Sequence, residues 1–86
     1  MATLVSKTKT VNMEFVVSHR FGQTNLIVDI VNHEIIFRAF GCRTECYVEQ
    51  AKTNPQRITN CILALDSNIF NNEIEQVVRA IIPELI

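Results

Sequence analysis

Glycine and proline together supply four of the 86 residues. So few chain-breakers exclude a disordered or low-complexity composition. With Gly22 and Gly41 as the whole glycine complement, no glycine-rich phosphate cradle can be built. The chain also lacks GxSxG, HExxH and GxGxxG patterns, which removes the motif-bearing enzyme classes. No apolar run approaches the ~18 residues that a membrane-spanning helix needs. The opening MATLVSKTKT contains no apolar h-region, so it does not read as a secretory signal. Basic residues are not clustered: residues 1–43 carry five against three acidic ones, and residues 44–86 carry three against six. That weak footprint demotes nucleic-acid binding, which wants a dense positive patch. Three cysteines are an odd number and argue against a closed disulfide framework. The expectation is a cytoplasmic chain with free thiols, no cofactor and no membrane association.

What the chain does have is a globular composition, 48% apolar and 20% charged, sized for one domain. A domain this small buries only about 60% of its unfolded surface, so its stability margin is thin and dimerisation is a common remedy. Residues 1–10 read as a flexible arm and residues 11–86 as a single α+β domain. In VNMEFVVSHRF, residues 11–21, the residues Val11, Met13, Phe15, Val17 and Phe21 share one parity, while Asn12, Glu14, Ser18 and Arg20 share the other. Alternation of this length predicts a half-buried strand. The composition of residues 22–25 predicts a turn.

A second strand over Leu26–Val31 and a third over Glu34–Phe40 flank Asn32-His33, a two-residue turn that sets their register. Ile30 then faces Ile35, Val28 faces Phe37 and Leu26 faces Ala39, an all-apolar face. The opposite face pairs Val31 with Glu34, Asp29 with Ile36 and Ile27 with Arg38. A slip by one residue would scramble both faces. Beyond Gly41, Cys42, Thr44, Cys46 and Val48 share a parity, either as a fourth strand or as a bent continuation of the third. The two thiols there point to the less polar side, where free cysteine behaves as a small hydrophobe, and Cys46 and Cys61 should be mostly buried, unmetallated and not disulfide-bonded.

Two helices follow. Asn54 and Pro55 are start signals, after which Ile58, Cys61, Ile62 and Leu65 form one apolar stripe. Asn72 and Glu75 have capping-box spacing, and Ile74, Val77, Val78 and Ile81 repeat the stripe until Pro83. The predicted architecture is an antiparallel β-meander of three or four strands followed by two C-terminal helices packed on one face.

Cys42, Cys46 and Cys61 with His19 or His33 could supply zinc ligands, but without CxxC or HxxxH spacing packing explains them better. His19 lies on the apolar parity of the first strand and reads as a hydrogen-bonded core residue. Arg20, Arg38 and Arg43 fall on outer parities, as in RNA-binding sheets, and with Lys7 and Lys9 they define an alternative reading as a nucleic-acid-associated regulator. Acidic residues share that face, so cross-strand ion pairs account for the mixture as well. The anomaly is the outer sheet face. Two helices cover one side, yet the other also carries apolar and aromatic groups. The candidate partner-binding residues are Ile27, Ile36, Arg38, Phe40, Arg43 and Tyr47. The expected function is non-enzymatic: a small binder, inhibitor or adaptor, of the kind phages and mobile elements encode. Its partner is another protein or a second copy in a homodimer.

Overall fold

A computed structural model describes residues 10–86. They form strands β1 (Thr10–His19), β2 (Gly22–Val31), β3 (Glu34–Ala39) and β4 (Cys42–Tyr47). Helices α1 (Val48–Thr53), α2 (Gln56–Leu65) and α3 (Asn71–Ile81) follow, with a 3-10 turn over Ile82–Leu85. The sheet order is β1-β2-β3-β4, with each neighbouring pair antiparallel. This is the α+β meander read from the sequence, with β4 a strand of its own. The expected arm, residues 1–10, lies outside the described residues except for Thr10, which opens β1.

Alternation decides which side each strand buries. Leu26, Val28 and Ile30 are buried while Ile27, Asp29 and Val31 are half-buried; Ile35, Phe37 and Ala39 are buried on either side of half-buried Ile36 and exposed Arg38. The β2–β3 register is the predicted one, with Val31 on Glu34, Ile30 on Ile35, Asp29 on Ile36, Val28 on Phe37 and Ile27 on Arg38. The first hairpin differs. Its turn is Arg20-Phe21, with His19 opposite Gly22, and β2 already runs through Gln23, Thr24 and Asn25. Gln23 and Asn25 occupy the parity that faces away from the core, where a polar residue costs a strand little. Their composition therefore imitated a turn. Phe21, expected on the core side, sits at the turn tip and is 77% exposed.

The helices supply the second layer. Ile58, Ile62 and Leu65 of α2 and Ile74, Val77 and Ile81 of α3 are buried against the inner side of the sheet. Each such side chain contributes about 1.5–3 kcal/mol by leaving water. Helices of 10 and 11 residues are marginal alone, so this burial sustains them. Asn54 acts as expected at the start of α2, its Oδ1 accepting from the Gln56 N–H at 3.2 Å. The anticipated box at Asn72 and Glu75 is not formed. α3 starts after Phe70, and the carboxylate that binds backbone there is Glu73, whose Oε1 accepts from the Ser18 N–H at 2.9 Å and ties α3 to β1. The short α1 was not anticipated. Its buried Val48 and Ala51 lie three apart, one face of a single helical turn. Pro83 falls within the terminal 3-10 turn, where Leu85 is buried and Ile86 is left exposed.

The segment between α2 and α3 continues the sheet briefly. Ile69 bridges His19, the Arg20 N–H donates to Asn68 O at 3.1 Å, and the Phe70 N–H donates to Ser18 O at 3.3 Å. No helix among the described residues is long and apolar enough to cross a membrane.

Candidate interaction surface

All three helices pack on the inner side, and among the described residues nothing packs on the outer one. The registers assemble that side into rows that cross all four strands. Thr10, Val31, Glu34 and Tyr47 form one row, Asn12, Asp29, Ile36 and Glu45 the next, and Glu14, Ile27, Arg38 and Arg43 the third. Of the expected partner-binding residues, Ile27, Ile36, Arg38, Arg43 and Tyr47 share this face. Ile36 and Ile27 are half-buried at its centre, and Tyr47 is 56% exposed at its edge.

Phe40 is placed differently. It occupies the β3–β4 turn rather than β3, and its ring meets His19 edge-on at 5.2 Å between centroids. His19 has the inner parity, so Phe40 caps the end of the sheet. The His19 ring is largely covered and hydrogen-bonded, its Nδ1 accepting the Phe21 N–H at 3.2 Å, and Asp66 Oδ2 lies 3.9 Å from the same nitrogen.

The charges of the face follow from its rows. Arg38 and Arg43 stand directly opposite one another, an unfavourable pairing of like charges. Each turns to a carboxylate instead. Arg38 Nη1 donates to Asp29 Oδ2 at 3.2 Å, and Arg43 Nη2 donates to Glu45 Oε1 at 2.7 Å. Asn12 Nδ2 donates to the other oxygen of Asp29. Such exposed pairs contribute about 0–1 kcal/mol, so they order the side chains more than they stabilise the fold. The face carries four carboxylates, on Glu14, Asp29, Glu34 and Glu45, against two arginines. Arg20, expected with the other two, is instead in the β1–β2 turn, and Lys7 and Lys9 lie outside the described residues. Two open depressions lie on this side, one at Ile36 and one between Ile27 and Phe40. One of about 360 Å³ is bounded by Val31, Glu34 and Tyr47, and one of about 420 Å³ by Ile27, Arg38 and Arg43.

The inner side of β4 holds a second cluster. Cys46 and Cys61 are half-buried rather than fully covered, one on the inner parity of β4 and the other on α2. Thr44 Oγ1 donates to Cys61 O at 2.9 Å, fixing α2 over this part of the strand. Interaction with the Cys46 thiol lowers the Cys61 thiol from 9.0 to about 7 against the opposing effect of burial, with Thr44 and the Arg57 charge acting in the same direction as Cys46. The Cys46 thiol is raised by the same interaction, and burial adds to this. Proximity of the thiols could have been found from the sequence, because Cys46 has the inner parity of β4 and Cys61 is on the core stripe of α2. Cys42 is an exposed free thiol paired with Ala39, and His33 is exposed in the β2–β3 turn. Among the described residues no three His, Cys, Asp or Glu side chains converge as metal ligands would.

The chain matches no protein-family model, no curated protein and no solved structure.

Proposed function

We propose that the chain is a non-enzymatic protein-binding module, acting as a binder, inhibitor or adaptor, and that its docking surface is the outer sheet face. One observation carries this reading. The helix layer lies wholly on the inner side, while the opposite side has Ile27 and Ile36 at its centre and Tyr47 and Arg38 beside them. An apolar centre ringed by ordered charges is the anatomy of an interface, and tyrosine and arginine are the residues that most often dominate binding there. Strands ~4.8 Å apart and ladders of six to ten residues give a flat area of roughly 400–600 Å². That is somewhat below the ~800 Å² per partner of a standard interface and suits a transient complex.

The charge balance favours a different protein as the partner. A second copy would bring the same excess of carboxylates, whereas a partner with an apolar patch edged by lysine or arginine complements Glu14 and Glu34. The same excess, with Arg38 and Arg43 already held by carboxylates, weighs against nucleic acid.

The test compares the tagged wild-type chain with the double variant Ile36→Glu, Tyr47→Ala in capture from the native host, with circular dichroism as the check on folding. The wild type should capture a partner, and capture should persist from 50 to 200 mM salt, a range over which binding through several phosphates falls by roughly 10³–10⁵. The double variant should stay folded and lose the partner. A folded variant with unchanged partners and oligomeric state rules this face out as the docking surface.

A further inference from the structure

β1 is an edge of the sheet, and most of its free side carries no partner among the described residues. Its ladder with β2 keeps one register without a bulge up to the two-residue turn after His19. His19 and Gly22 flank that turn and form a hydrogen-bonded pair. The odd positions of β1 therefore bond to β2, and the even ones point their N–H and C=O away from it. Ser18 shows such outward groups satisfied: its N–H donates to Glu73 Oε1 at 2.9 Å and its C=O accepts from the Phe70 N–H at 3.3 Å. Thr10, Asn12, Glu14 and Val16 have the same outward backbone without that strap. The helix layer also stops short of them. Val17 is buried, whereas Val11, Met13 and Phe15 on the same side are half-buried, and Val16 on the other is 62% exposed. A free edge is normally blunted by proline, lysine or a bulge, and Thr10–Val17 has none of these. β4, at the other edge, is shorter and carries charged Arg43 and Glu45.

We propose that this edge pairs with the same edge of a second copy, antiparallel about a two-fold axis at Met13, to make one continuous sheet. The side chains select both the occupant and the register. A two-fold axis repeats each contact, and only a register centred on a residue keeps like faces together. Centred on Glu14, two carboxylates stand opposite one another, an unfavourable pairing. Centred on Phe15 or later, the ladder runs into Ser18, whose backbone is already taken. Centred on Asn12, Phe15 and Val16 find no described partner. Centred on Met13, every pair is compatible. Asn12 lies opposite Glu14 of the second copy, and Thr10 opposite Val16, which joins the outward backbone groups. On the inner side Val11 lies opposite Phe15 and Met13 opposite Met13, so the two half-covered apolar strips merge. Asn12 Nδ2 directs one hydrogen to Asp29 and has a second for the facing Glu14 carboxylate. A seam of about seven residues at ~3.4 Å each, with about eight backbone hydrogen bonds, buries roughly 300–400 Å² per copy. That is below the ~800 Å² per partner of a standard interface, so the dimer depends on concentration. The outer faces stay uncovered, so the seam is independent of the docking reading.

Sedimentation velocity of the reduced full chain, over a roughly hundredfold range of concentration up to about 1 mM, should show the 9.8 kDa species give way to its dimer. Amide hydrogen exchange followed by NMR locates the seam. In the dimer the amides of Asn12, Glu14 and Val16 should exchange roughly tenfold or more slowly than in the dilute monomer, while those of Met13 and Phe15, bonded to β2, change little. Glu14→Pro removes an outward N–H that the β1–β2 ladder does not use; it should stay folded by circular dichroism and monomeric throughout. In a Cys42→Ser background, Met13→Cys should form a disulfide between copies at position 13, because facing Cα atoms of such a pair lie ~4.5 Å apart. Phe15→Cys, which faces Val11, should not. Should Glu14→Pro fail to fold, the disulfide and the amides decide the matter. Ile36→Glu with Tyr47→Ala should dimerise as the wild type does, which separates this seam from the outer face. The proposal is overturned by a monomer at the highest concentration, a dimer kept by folded Glu14→Pro or lost by the outer-face variant, or no disulfide at position 13. Protection of the three amides already in the monomer also overturns it, and assigns the edge to residues 1–9 of the same chain.

Discussion

Phe40 and Gly41 turn the chain from β3 into β4 with φ of 55° and 73°. Positive φ at both positions describes the tight hairpin turn whose twist matches the flanking strands. Glycine accepts that conformation freely, whereas a side chain costs about 1–2 kcal/mol per residue. Phe40 bears that cost and offsets part of it through its edge-on contact with His19, an interaction of about 0.5–1.5 kcal/mol. A Cβ on Gly41 would meet nothing within 4 Å, so the backbone conformation is the whole penalty there. Gly41→Ala should therefore destabilise the chain by about 1–2 kcal/mol in urea unfolding, with the slope of the transition unchanged. Of the two turn residues the sequence announces only one. Gly41 is a visible punctuation mark, but Phe40 continues the strand's pattern and carries no turn chemistry, so it reads as the last residue of β3.

At the scale of elements, the helix stripes separate into residues that face the sheet and residues that flank it. In α3, Val77 is 2% exposed and Val78 is half-buried beside Pro55 and Thr59. The spacing of 74, 77, 78 and 81 puts all four on one stripe; burial separates Ile74, Val77 and Ile81 from Val78, and that depends on tertiary packing. Val77→Ala should cost about 2 kcal/mol and Val78→Ala less than half of that, measured as paired urea midpoints. Equal losses would place both on the core side. The meander and the β2–β3 register were legible because alternation and a two-residue turn over-determine them. The first turn was displaced because a polar outer parity and a turn share a composition. α1 was hidden because Val48 and Ala51 are too few to establish a helical period, and Val48 also satisfies a strand's. The outer face followed from register alone. The shift of Phe40 to the sheet end and of Arg20 into a turn did not, because each depends on where a strand stops.

In the molecule as a whole, each strand pairs with its neighbour in sequence through a two-residue connection, and distant parts of the chain are joined at the far end of β1 by Ile69, Phe70 and Glu73. The Glu73 carboxylate satisfies a part-buried N–H across 55 residues of chain. Glu73→Ala leaves that donor without its partner and should lower stability by about 1–3 kcal/mol. The same arrangement orders events in time. Hairpins close on the scale of microseconds because their loops are short, whereas the strap between β1 and α3 must wait until almost the whole chain is in place. Loss of Glu73 should thus appear in stopped-flow kinetics as faster unfolding with an almost unchanged refolding rate, while Gly41→Ala slows refolding. The open end of β1 is, on this view, the last seam to close and the first to open.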